Sequence, residues 1–118
     1  MEHEKINYLE LTAKDIDATK AFFRSVFNWT FTDYGDEYTA FAKADAGIDG
    51  GFFKGEETST QITGGALIVF YSEALEQTLA KVRQAGGVIC KDTFEFPGGR
   101  RFHFLEPSGN EFAVWSDK

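Results

Sequence analysis

The stretch "GALIVFYSEALEQTLAKVRQAGG", Gly65 to Gly87, decides the fold because it begins again what the chain has already done once. Its first seven residues form an apolar run of strand length, and Ser72 stands where a helix N-cap belongs. Leu75, Leu79, Val82 and Ala85 then recur at helical spacing until Gly86-Gly87 end the helix. Upstream, "YLELTAKDIDATKAFFRSVFNW", Tyr8 to Trp29, has the same order. Leu9 and Leu11 alternate with Tyr8, Glu10 and Thr12, the period of a half-buried strand. Asp15 is the N-cap, and Ile16, Thr19, Phe22, Phe23, Val26 and Phe27 build one apolar helical face.

Each helix is followed by strands. "WTFTDYGDEYTAFAKADAGIDGGFFKG", Trp29 to Gly55, is broken at Tyr34-Gly35-Asp36 and at Ala46-Gly47 into three short ones. "VICKDTFEF", "RRFHFLE" and "NEFAVWS" form three more, separated by Pro97-Gly98-Gly99 and by Pro107-Ser108-Gly109-Asn110. The chain therefore reads as two β-α-β-β-β modules, about 5–55 and 64–118, joined by the polar linker "EETSTQIT" at 56–63, in a single domain over 1–118. A sheet with a helix on one face leaves the other bare. The expected architecture is α+β, with the two bare faces forming a curved mixed sheet around a cleft and the helices on the outer faces. Paired ferredoxin-like β-α-β units fit less well, because each helix here is followed by more strands than they use.

Composition narrows the partners. The chain has 118 residues, enough for one modest core, and 42% of them are hydrophobic, which argues against disorder. A formal net charge of −7 repels phosphate backbones and anionic lipid, so neither nucleic acid nor an acidic membrane is an expected partner. The opening "MEHEKINYLE" is charged and lacks a long apolar run, so neither a secretory signal nor a membrane span is read there. With Cys90 as the one cysteine, a reducing, cytoplasmic location is expected. Its setting in "GGVIC" points to a buried structural thiol.

With its element order and the segments "YLELTAKDIDATKAFFRSVFNW", "LIVFYSEALEQTLAKVRQAGG" and "EPSGNEFAVWS", the chain resembles the vicinal oxygen chelate (VOC) superfamily. That group holds glyoxalase I, bleomycin-resistance proteins and extradiol dioxygenases. The resemblance implies a metal ligand from the first and the last strand of each module, usually His, Gln or Glu. Carried onto this chain, those positions fall near Tyr8, Gly50 or Gly51, Gly65 and Ala113. Glycine and alanine have no donor atom and a neutral tyrosine is a weak ligand, so no metal is expected. A two-residue shift of register keeps the face and would bring Glu10 or Glu111 to a ligand position. The resemblance also implies a homodimer.

Residue by residue, Glu10 is the candidate catalytic or ligand-selecting carboxylate, with Tyr8 and Thr12 beside it on the bare face. Leu67, Val69, Trp115 and Arg101 complete the expected ligand-binding set, Trp115 as a flat wall and Arg101 as a contact for an anionic group. Glu111 follows a turn and is read as solvated, and His103 as structural or exposed; with Glu10 they are the fallback metal ligands. The leading expectation is a small-molecule-binding protein with a metal-free cleft. The alternatives are a glyoxalase-like lyase or isomerase, or a dioxygenase-related enzyme, using Zn, Ni, Mn or Fe, and a protein-interaction module.

Overall fold

Asp15 starts the first helix as its spacing predicts: its Oδ1 accepts from the Ala18 N–H at 3.0 Å, and α1 runs Ile16–Phe27 to a left-handed Asn28. The computed structural model describes residues 1–118. Module one holds β1 (Tyr8–Ala13), α1, β2 (Phe31–Asp33), β3 (Tyr38–Phe41), α2 (Lys43–Ala46) and β4 (Asp49–Lys54). Module two holds β5 (Ile68–Tyr71), α3 (Leu75–Gln84), β6 (Val88–Phe96), β7 (Gly99–Leu105) and β8 (Glu111–Ser116). The fold is α+β, and both modules follow the expected β-α-β-β-β order apart from the one-turn α2.

The strands form two mixed four-stranded sheets, ordered β1-β4-β3-β2 and β5-β8-β7-β6, in which β1-β4 and β5-β8 are parallel. Each module contributes its own sheet, and no ladder joins β1 to β5. An apolar cavity of about 320 Å³ is lined by residues of both edges, Leu9 and Leu11 of β1 and Ile68 and Phe70 of β5, together with Phe112. In both sheets one face packs with the helices and the other is free of them. The helix-side face carries Leu11, Phe41 and Phe52 of the first sheet and Phe102, Phe104, Phe112 and Val114 of the second. Phe22, Phe23 and Val26 of α1 and Leu75 and Val82 of α3 join them in one core drawn from both modules. Phe23 sits at its centre, with ring centroids 4.7 Å from Trp29, 5.6 Å from Phe52 and 5.2 Å from Phe112.

Local departures from the sequence reading have local causes. Ser72 is not the N-cap of α3. That position belongs to Ala74, and the Ser72 hydroxyl accepts from the Ala74 N–H and bonds to the Thr78 hydroxyl at 2.7 Å. Gly65 lies before β5, in a turn where its N–H donates to the Thr60 carbonyl. Cys90 is exposed, not buried. The β6–β7 register shifts between Ile89 and Lys91, so Cys90 falls at a bulge on an edge strand, exposed like Val88 and Lys91, while Ile89 is half-buried.

The turn after β7 ties the modules together. Glu106, 2% exposed, accepts from the Thr19 hydroxyl at 2.6 Å, the Ser108 N–H at 3.0 Å, the Asn110 N–H at 3.1 Å and Asn110 Nδ2 at 2.9 Å. Asn110 Nδ2 also donates to the Thr12 carbonyl at 2.7 Å, and Asn110 Oδ1 accepts from the Ser59 N–H at 2.9 Å. Gly109 has φ +94°, which permits the reversal between Ser108 and Asn110. "EPSGN" thus fastens α1, β1 and the 56–63 segment to the last hairpin.

Candidate functional site

Alternation along β1 puts Tyr8, Glu10 and Thr12 on the helix-free face of the first sheet, and register adds their neighbours. Glu10 lies opposite Gly51 of β4, which lies opposite Ala40 of β3; Thr12 lies opposite Phe53, and Phe53 opposite Tyr38. The Tyr38 ring covers Gly51: a Cβ there would stand 2.3 Å from its hydroxyl and 2.8 Å from the Thr39 carbonyl. Tyr38 Oη donates to Glu10 Oε2 at 2.9 Å and bonds to the Tyr8 hydroxyl, so proton donation runs from Tyr8 to Tyr38 to Glu10. Burial, then the hydrogen bonds to Tyr8 and Glu10, push the Tyr38 phenol well above its ordinary value, which keeps it a donor to the carboxylate. A groove of about 440 Å³ opens beside this chain, with Glu10, Thr12 and Phe53 on one wall and Thr58, Ser59 and Gly65 on the other.

The helix-free face of the second sheet is built the same way. Register sets Phe94, Arg101, Trp115 and Tyr71 in one cross-strand row and Lys91, His103, Ala113 and Val69 in the next. His103 is fully buried, and its Nδ1 meets Glu111 Oε2 at 2.8 Å. Glu111 is 7% exposed, which corrects the solvated reading. The turn returns β8 against β7 and folds the 56–63 segment over it, so Glu111 Oε1 also accepts from the Gln61 N–H at 3.0 Å. Burial alone would raise the Glu111 carboxyl. The hydrogen bonds from His103 and Gln61, with the nearby charge of Lys91, outweigh it and hold the group below the usual carboxylate range. His103 Nε2 is buried with no partner, as is Arg101 Nε. The Tyr71 hydroxyl donates to Asp117 at 2.5 Å, which pushes the phenol up to about 12.

The sequence-derived candidates therefore fall into two groups. Tyr8, Glu10 and Thr12 share the first sheet's face, while Val69, Arg101, His103, Glu111 and Trp115 lie with the second sheet; Leu67, half-buried, precedes β5. Tyr38 was missed, although the Tyr34-Gly35-Asp36 turn makes β2 and β3 a hairpin and only the pairing of β3 with β4 brings its ring over Gly51. His103 and Glu111 were named among the fallback metal ligands, but not as a buried, hydrogen-bonded pair. The signal was the five-residue connection from Glu106 to Asn110, which sets Leu105 opposite Glu111 and leaves His103 one diagonal away.

The positions where the VOC resemblance implies a metal can now be placed. Tyr8 lies opposite Asp49 and Glu10 opposite Gly51 on the first sheet, Ala113 lies opposite Val69 on the second, and Gly65 precedes β5. Of Tyr8, Gly50 or Gly51, Gly65 and Ala113 only the tyrosine has a side-chain donor atom, and the two-residue shift adds Glu10 or Glu111. Nowhere do three His, Cys, Asp or Glu side chains converge. This donor set does not fit a divalent transition metal.

Two β-α-β-β-β modules sharing one core, each with an open sheet face, define a paired-module α+β protein. The family model described as Glyoxalase/Bleomycin resistance protein/Dioxygenase superfamily matches residues 5–114, and the chain belongs to that family. Among curated proteins none matches by sequence. Solved structures agree in fold. A fosfomycin resistance protein, FosX, from Listeria monocytogenes superposes with a TM-score of 0.78 at 18% identity, covering 98% of this chain and 94% of that one. A glyoxalase/bleomycin resistance protein/dioxygenase family enzyme from Burkholderia phytofirmans PsJN gives 0.76 at 16% identity, covering 95% and 98%. Lactoylglutathione lyase from Agrobacterium tumefaciens gives 0.71 at 19% identity, covering 98% and 95%. No helix of the chain is long and apolar enough to cross a membrane.

Proposed function

We propose that the protein binds a small organic molecule on its helix-free sheet faces without a metal, with Glu10 selecting for ligands that donate hydrogen bonds or carry positive charge. The observation that carries this reading is the filling of position 51: glycine stands there, the Tyr38 ring takes the space, and its hydroxyl is turned onto Glu10. A carboxylate beside the groove with one donor already in place has further acceptor capacity for a ligand. Tyr8 and Thr12 supply neutral polar contacts there, and Leu67, Val69, Trp115 and Arg101 the surface of the second sheet. A cytoplasmic, homodimeric binding protein is the form this reading takes, supported by the single cysteine and the family resemblance.

A second reading, a glyoxalase-like lyase or isomerase, draws on the buried His103–Glu111 pair. A carboxylate that accepts from Nδ1–H orients an imidazole and leaves Nε2 as a base. Metal content and thermal unfolding separate the two. The binding protein should purify without a stoichiometric metal and take up none from Zn²⁺, Ni²⁺, Mn²⁺ or Fe²⁺. A small-molecule panel should then yield a ligand that raises its unfolding temperature equally with and without chelator, an effect lost in Glu10→Gln. About one metal ion per chain would overturn the metal-free reading.

A further inference from the structure

Two adjacent arginines on β7 are used in opposite ways. Arg100 turns to α3 and the chain end, where it pairs with Glu76 and donates to the Lys118 carbonyl oxygen through Nε at 3.1 Å and Nη2 at 3.0 Å. Arg101 points to the helix-free face, half-buried, outside every ion pair of the chain and with no acceptor for its buried Nε–H. Its guanidinium carbon lies 5.2 Å from the centre of the Phe94 ring and 5.6 Å from that of Phe96. An arginine held on aromatic faces with its planar fork unengaged is pre-organised for a planar, doubly accepting group.

The surroundings agree. Trp115 is the cross-strand neighbour of Arg101, with ring centroids 6.2 Å from Phe96 and 5.2 Å from Tyr71, so the row is aromatic on both sides of the cation. The Tyr71 hydroxyl is engaged by Asp117, and Glu111 by His103 and the Gln61 N–H. Ala113, in the next row, projects no more than a methyl group. In a chain of net charge −7, Arg101 and Lys91 bring two positive charges to this face outside every ion pair, while the carboxylate of Asp117 is taken up by the Tyr71 hydroxyl. His103 Nε2, also unpartnered, lies on the same strand face two residues from Arg101.

We propose that this face binds an organic carboxylate with a flat apolar body, Arg101 gripping the carboxylate through its outer N–H groups while Trp115 and Phe96 contact the body. The inference rests on the small-molecule reading above and names a ligand class for Arg101 and Trp115. Benzoate and its neutral isostere benzamide are the probes, titrated into the ¹⁵N-labelled full chain while the Trp115 indole and Arg101 Nε signals are followed. Benzoate should shift both signals and bind about tenfold or more tightly than benzamide, since its contact with arginine is charge-assisted. Arg101→Gln should bring benzoate down to the benzamide level, and Arg83→Gln, at an exposed arginine of α3, should leave it unchanged. Equal binding of the two probes by the unmodified chain overturns the proposal without recourse to any variant, as does benzoate binding that survives Arg101→Gln. If other molecules stabilise the protein and benzoate does not bind, this inference falls and the small-molecule reading stands. If nothing in the panel binds, both fall.

Discussion

Asn110→Ala tests whether the "EPSGN" turn is a fastening rather than a surface loop. Asn110 is fully buried and makes three side-chain hydrogen bonds, to the Thr12 carbonyl, Glu106 Oε2 and the Ser59 N–H. Alanine removes all three bonds, while Glu106 keeps its donors from the Thr19 hydroxyl, the Ser108 N–H and the residue-110 N–H. The two backbone groups, partly buried, should cost about 1 kcal/mol each, and the buried Glu106 carboxylate, losing one of its donors, about 1.5–3 kcal/mol. The total of about 3.5–5 kcal/mol is a large share of the stability of a small domain. A chain of 118 residues has an unfolding entropy of about 0.25 kcal/mol/K, so the midpoint should fall by about 14–20 °C. Thermal unfolding followed by circular dichroism, checked against urea denaturation, measures it. Asn110→Asp keeps the acceptor for Ser59 but sets a second carboxylate against Glu106, and should be at least as damaging. A loss under about 1 kcal/mol for the alanine variant would refute the reasoning, since exposed turn residues cost no more than that.

Further outcomes follow from the pair under the second sheet and from the core. Glu111 has its folded pKa below its ordinary 4.5, so it adds stability above that value that is lost as pH falls through the folded pKa. Urea midpoints taken from about pH 6 to pH 3 should therefore fall less steeply for Glu111→Gln than for the unmodified chain. Phe23→Ala removes a fully buried ring that touches aromatic residues of both modules, and should cost about 3–5 kcal/mol in urea denaturation. It should also speed exchange of amide hydrogens in both sheets, because one core serves them both.

The order β-α-β-β-β, repeated, was legible in the chain because each part depends on local rules. Apolar alternation marks a strand, a side-chain cap and a 3.6-residue period mark a helix, and glycine pairs mark the ends. These rules act over a few residues, so they placed Tyr8, Glu10 and Thr12 on one face of β1 and Asp15 at the start of α1. What the local rules could not reach was pairing. Whether a glycine at position 51 is open space or lies under a tyrosine depends on the register of β3 against β4, and Tyr38 is thirteen residues away in the chain. Likewise Glu111 reads as solvated after its turn until the 56–63 segment, fifty residues back, lays the Gln61 N–H on it and β7 brings His103 alongside. Even Arg100 and Arg101, identical in the sequence, differ only through pleat: one side chain meets Glu76 of α3, and the other meets the rings of Phe94 and Phe96. Local propensity determined the elements and their faces; tertiary contact decided which polar groups on those faces are engaged by the protein and which are left without a partner.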